Sequence, residues 1–232
     1  MIKAIRNNLP NAITSLNLLC GCLACISAFS AQEMLCNGLN GYQWAYLLIA
    51  MAAVADFLDG LVARLLNAVS PIGKELDSLA DLVSFGLAPA LILYNIMVTR
   101  DADGWAMTAM LLPVFSAIRL ARFNVDTRQA TTFTGLPVPA NAIFWMGLTA
   151  YYNENALPLW IVLILIVALS ALMVCNLRMF SLKMHNLASI KQNWAQYLQI
   201  IVSAALIMTI GLPGLAVAIA LYVLLSIIRH EN

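Results

Sequence analysis

Apolar runs long enough to cross a bilayer recur along this chain, broken only by short polar connections, near 12–31, 44–59, 77–98, 105–123, 138–152, 158–176, 195–211 and 213–228. In hydrocarbon every backbone polar group must be satisfied within its own segment, so runs of this length fold as helices. The expected fold class is therefore all-α, a polytopic membrane helix bundle with about eight spans, forming a single domain over 1–232. The composition of the 232 residues agrees: 62% are apolar and 10% charged, whereas soluble domains carry about 25% charged residues. A mean hydropathy of +0.87 excludes a disordered chain, and a net charge of +1 lacks the basic surplus a nucleic-acid partner requires.

The basic start, with Lys3 and Arg6 ahead of an apolar run, has the look of a secretory signal. No small-residue cleavage site leads from it to a soluble mature domain, so the first run is read as a retained span. Of five cysteines, Cys20, Cys22, Cys25 and Cys175 lie inside apolar runs and only Cys36 outside them, so burial as small hydrophobes is the expectation rather than a metal or disulfide role. Cys22 and Cys25 have CxxC spacing but no second pair, and no zinc site is expected. Gly211-Leu212-Pro213-Gly214 reads as a tight turn between the last two spans.

Orientation follows from the basic residues. Lys3, Arg6, Arg64, Lys74, Arg119, Arg122, Arg128, Arg178, Lys183, Lys191 and Arg229 fall in the N-terminus, the even-numbered connections or the C-terminus, and Arg100 alone falls on the other side. Lys and Arg in short loops favour the cytoplasmic face, so both termini are expected there.

The segment 56–81 holds five of the eleven acidic residues, Asp56, Asp59, Glu75, Asp77 and Asp81. On a helix, Asp56 and Asp59 stand about 60° apart and Asp77 and Asp81 about 40° apart, so each pair shares a face. Ser70-Pro71 and Gly73 allow the chain to reverse and bring the two faces together near the cytoplasmic interface. Four carboxylates in a partly dry site repel unless some are protonated or cations neutralise them. An all-oxygen set without Cys or His suits Mg²⁺ or Mn²⁺. Glu75 falls about 200° from Asp77 and is left out. Gly60 and Ala63 keep one helix face shallow, and the Arg64 guanidinium suits phosphate oxygens. Together these describe a nucleotide-diphosphate site. A solvated loop with Arg64 and Lys74 as counter-charges is the ordinary alternative. A cation transporter is another, disfavoured because the carboxylates fall at span ends rather than at the bilayer midplane.

The pattern Asp56-x2-Asp59-Gly60-x2-Ala63-Arg64-x8-Gly73-x3-Asp77-x3-Asp81 resembles, without a substitution, the motif of the CDP-alcohol phosphotransferases. These membrane enzymes move a phosphatidyl group from a CDP-linked lipid to an alcohol and release CMP. The likeness continues through Leu82-Val83-Ser84-Phe85-Gly86-Leu87-Ala88-Pro89-Ala90, Arg119-Leu120-Ala121-Arg122-Phe123-Asn124, Phe133-Thr134-Gly135-Leu136-Pro137, and Pro10-Asn11 to Gly21. These stretches are most similar to the branch of the family that uses CDP-diacylglycerol and L-serine; glycerol 3-phosphate and inositol are the alternative acceptors.

The resemblance implies a six-helix core around a cytoplasmic-facing cavity, leaving two further spans. It assigns Asp56, Asp59, Asp77 and Asp81 to two divalent cations, Asp81 additionally to general-base duty, and Gly60, Ala63, Arg64 and Gly73 to the CDP moiety. It also implies a bacterial or archaeal cell membrane and a possible homodimer. Thr14 and Asn17 share one face of the first helix and are read either as a lip of the CDP site or as helix–helix hydrogen bonders. Arg119 and Arg122, also at spacing three, are candidates for the serine carboxylate, with snorkelling to the interface as the alternative. Small residues, Ala50, Ala52, Ala53 and Ala55 in one span and Ala140, Ala142, Gly147 and Ala150 in another, permit close helix approach.

Overall fold

A computed structural model describes residues 2–125, 134–177, 179 and 194–230. Arg128, Phe133, Arg178, Lys183 and Lys191 lie outside the described residues. The protein is all-helical, in two compact units, 1–120 and 121–232.

The first unit holds α1 (Ile2–Phe29), α2 (Gly41–Leu65), α3 (Pro71–Thr99) and most of α4 (Asp103–Val125). The apolar part of α1, Asn8–Phe29, and the whole of α2, α3 and α4 measure 22, 25, 29 and 23 residues, roughly 33 Å or more at 1.5 Å per residue, which exceeds the hydrocarbon core. The chain is an integral membrane protein with four long apolar candidate spans among the described residues. Alanines at 24 and 28 in α1 and at 45 and 52 in α2 have no exposed surface.

Two boundaries depart from the hydropathy reading, both beside the aspartates. α2 continues to Leu65 and α3 begins at Pro71, so Asp59 to Arg64 are helical and the reversal is confined to 66–70. Charged residues lower the local hydropathy without ending a helix. Pro71 supplies a first-turn residue that needs no N–H partner, and Ser70 caps the new helix by accepting from Gly73 N at 3.0 Å.

Midway along α3 the residues Leu82–Leu87 form a π turn. Pro89 explains it: in a regular helix its ring would meet the carbonyl four residues back, and widening the turn relieves the clash. In α4 a 3-10 turn at Met107–Met110 precedes Pro113.

The second unit contains α5 (Val138–Glu154), α6 (Leu159–Val174), α7 (Trp194–Ile210) and α8 (Gly214–His230). At 16 or 17 residues these reach about 24–26 Å, shorter than the long four. Gly147 sits where α5 meets α8: a Cβ there would stand 3.1 Å from the Ala216 Cβ, the close approach expected of the small residues. Gly135 has φ +73° and lies against the C-terminal carbonyls of α6, with Gly135 N donating to Leu177 O at 2.8 Å and Leu136 N to Leu172 O at 3.0 Å.

Candidate functional site

α2 and α3 run in opposite directions from the 66–70 reversal, so the last turns of one face the first turns of the other. Three carboxylates meet there. One oxygen from each of Asp56, Asp59 and Asp77 lies within 4.8 Å of the others. Asp59 Oδ2 and Asp77 Oδ1 are buried without a hydrogen-bond partner. Asp59 is buried, and Thr14 of α1 lies beside it, its hydroxyl donating to Pro10 O at 3.1 Å.

Asp81, the fourth expected ligand, is not among the three carboxylates gathered within 4.8 Å. One turn further along α3 carries it about 6 Å along the axis. It is 9% exposed, and its Oδ1 accepts from Asn17 Nδ2 at 3.3 Å.

A cleft of about 280 Å³ opens beside the three carboxylates. Thr14, Gly60, Ala63, Arg64 and Gly73 line it together with Asp59 and Asp77, so five of the six residues expected at the CDP moiety share one wall system. Asn17 is fully buried and turned to Asp81 instead. Arg64 Nε donates to Gly60 O at 2.9 Å. Among the described residues a Cβ on Gly60 would meet only Arg64 Nη2, at 3.9 Å, so this face is open to a ligand. The cleft also includes Pro10, Asn11, Lys74 and the connection Ala68–Ser70, which the motif spacing did not single out. Pro10 and Asn11 were legible from their position one turn before Thr14.

Of the two arginines of α4, Arg119 is buried and Arg122 exposed. Arg122 Nη1 donates to Val174 O at 2.9 Å, capping the end of α6.

The sequence profile of the CDP-alcohol phosphatidyltransferases matches residues 7–154. The chain belongs to this family. The match spans the aspartate segment and the cleft residues of α1, α2 and α3. A Helicobacter pylori family member is 33% identical over 229 residues, covering 95% of this chain and 90% of the relative. A Bacillus subtilis relative is 35% identical, covering 63% and 78%. A Mycobacterium leprae relative is 42% identical over 149 residues, but these are only 46% of its length. All three carry the name CDP-diacylglycerol–serine O-phosphatidyltransferase.

The donor set fits a hard divalent cation. It is oxygen only, its atoms are gathered within 4.8 Å, and two buried carboxylate oxygens have no other partner, an arrangement that a cation would stabilise.

Proposed function

We propose that this family member transfers the phosphatidyl group of CDP-diacylglycerol to L-serine, giving phosphatidylserine and CMP. The observation that carries the reading is the junction of Asp56, Asp59 and Asp77 with a cleft walled by Gly60, Ala63, Arg64 and Gly73. Supporting it, the Helicobacter pylori relative named for this reaction aligns over 95% of the chain.

The cleft accepts the CDP moiety against the bare helix face at Gly60 and Ala63. The Nη groups of Arg64, whose Nε is already used on Gly60 O, meet phosphate oxygens. Two divalent cations, Mg²⁺ or Mn²⁺, bound by Asp56, Asp59, Asp77 and Asp81 would supply positive charge to the pyrophosphate in both ground and transition states. Asp81 accepts the proton of the serine hydroxyl as its oxygen bonds to the lipid-bearing phosphorus. The phosphoanhydride bond then breaks and CMP leaves with the electron pair.

The serine carboxylate needs a cation away from the aspartates, and Arg119 is the better placed of the two candidates. Ser116 of α4 packs on Gly86 of α3, its Cβ 3.2 Å from where a Gly86 Cβ would stand. The helices are antiparallel, so Arg119, one turn past Ser116, lies toward the level of Asp81. Arg122 is engaged with Val174 O.

The reading includes eight spans around a six-helix core, one domain over 1–232, both termini and the site facing the cytoplasm of a bacterial or archaeal cell, and a homodimer. The charge bias supports the orientation, and the family match supports one domain because it crosses from the first unit into the second.

The test is CMP release by purified protein with CDP-diacylglycerol, divalent metal and one alcohol at a time. Serine should be the fastest acceptor. Faster release with inositol or glycerol 3-phosphate would reassign the acceptor, and ion flux in proteoliposomes lacking CDP-lipid would favour a transporter.

A further inference from the structure

Asn17 is the one candidate CDP-site residue that the structure turns away from the cleft. Its side chain has no exposed surface, its Nδ2 donates to Asp81 Oδ1 at 3.3 Å, and its own Oδ1 is buried without a hydrogen-bond partner. With Asp81 ionised, as a proton acceptor must be, the amide takes this orientation, because its oxygen placed against a carboxylate oxygen would set two acceptors together.

Asn17 is also fixed by its backbone. Ser84 Oγ, in the π turn of α3, donates to Asn17 O at 3.0 Å. Four residues along α1, Gly21 lets Ser84 come against the helix: a Cβ at Gly21 would stand 2.8 Å from Ser84 Cα. The α1–α3 crossing is therefore held by Gly21, Ser84 and the Asn17 carbonyl. The Asn17 side chain is not needed for it. A buried amide satisfied at one end only is a poor device for joining helices, since an apolar residue there would leave no orphan acceptor. What it supplies is a donor to one oxygen of Asp81.

We propose that Asn17 is a positioning residue for Asp81, pinning Oδ1 so that the carboxylate keeps one orientation and presents Oδ2 to the acceptor alcohol. Without that bond, the Asp81 side chain is free to rotate about χ1 and χ2 away from the attacking hydroxyl. This inference rests on the phosphatidyltransferase reading, in which Asp81 receives the acceptor proton.

The test uses the full chain purified in detergent, with CMP release and CDP binding by calorimetry as independent readouts. Asn17→Ala should lower kcat by about tenfold or more, the scale of a misplaced reacting group. The CDP Kd and both KM values should stay within about threefold, which also shows that the variant folds. Ser84→Ala, which removes a helix-crossing bond but not the donor, should keep kcat within about threefold. In an Asp81→Asn background, read over long incubations with labelled serine, Asn17→Ala should cost no further rate, because a residue acting only through Asp81 has nothing left to position.

Three results would overturn the inference alone: a weakened CDP Kd with kcat intact, an equal loss in Ser84→Ala, or an undiminished further loss in the Asp81→Asn background. A wild-type protein that releases no CMP with any alcohol would overturn the parent reading and this inference with it.

Discussion

Arg64 Nε donates to Gly60 O, one helical turn back, at 2.9 Å. This bond holds the guanidinium beside the face that Gly60 leaves bare, and both residues line the cleft. A methyl at 60 would approach no described protein atom nearer than Arg64 Nη2, at 3.9 Å. Gly60→Ala should thus leave the thermal midpoint in detergent unchanged or raised, since Ala is the better helix former. On the proposed reading the same methyl takes space from the nucleotide, so the KM for CDP-diacylglycerol should rise about tenfold. A fall in midpoint with an unchanged KM would show Gly60 to be a packing residue.

The carboxylate group makes a separate prediction. Asp56, Asp59 and Asp77 converge within 4.8 Å, and like charges that close are stabilised by a shared cation. Chelation should abolish CMP release reversibly, with activity restored by added Mg²⁺ or Mn²⁺. Asp77→Asn should weaken Mn²⁺ binding, measured by electron paramagnetic resonance, together with turnover. Full activity in excess chelator would remove the metal role.

The facing of these aspartates was legible in the sequence because spacings of three and four fix helix faces wherever the helices begin. Their division was not. A hydropathy window places the ends of α2 and α3 at the charges, whereas capping by Ser70 and Pro71 moves the start of α3 back and places Gly73 in its first turn. Asp77 can therefore join the α2 pair while Asp81, a turn further on, lies against α1. The Asn17–Asp81 and Gly21–Ser84 contacts join positions more than sixty residues apart, and no local pattern encodes them. The π turn was implicit in Pro89, though its consequence, Ser84 aimed at the Asn17 carbonyl, needs both helices.

The proposed acceptor reading makes different predictions for the two α4 arginines. Arg119 is buried, whereas Arg122 is exposed and caps α6 through Val174 O. A planar guanidinium binds a carboxylate through two parallel hydrogen bonds, which an ammonium cannot reproduce. Arg119→Lys should raise the serine KM about tenfold with the KM for CDP-diacylglycerol little changed, as expected when binding to one substrate is lost. Arg122→Lys should leave the serine KM near the wild-type value. Steady-state CMP release at varied serine checks both, and a normal serine KM in Arg119→Lys would exclude it from the acceptor site.

Stability should be sensitive at a position in the second unit, outside the residues that line the cleft. Gly135 combines φ +73° with close packing on α6: a Cβ there would lie 3.1 Å from both Leu172 O and Cys175 O and closer still to Met173 O. All three obstacles are backbone carbonyls at a helix end, and one of them, Leu172 O, accepts from Leu136 N while Leu177 O accepts from Gly135 N. They cannot swing aside as a long side chain would. Gly135→Ala therefore adds the strain of a left-handed alanine, about 1–2 kcal/mol, to the cost of displacing the 135–136 bonds to α6. The expected outcome is a lowered unfolding midpoint in detergent and reduced recovery of folded protein, with the CDP Kd of the surviving fraction near wild type, since the cleft residues all lie in the first unit. An unchanged midpoint in Gly135→Ala would mean that the 134–137 segment does not hold this geometry against α6.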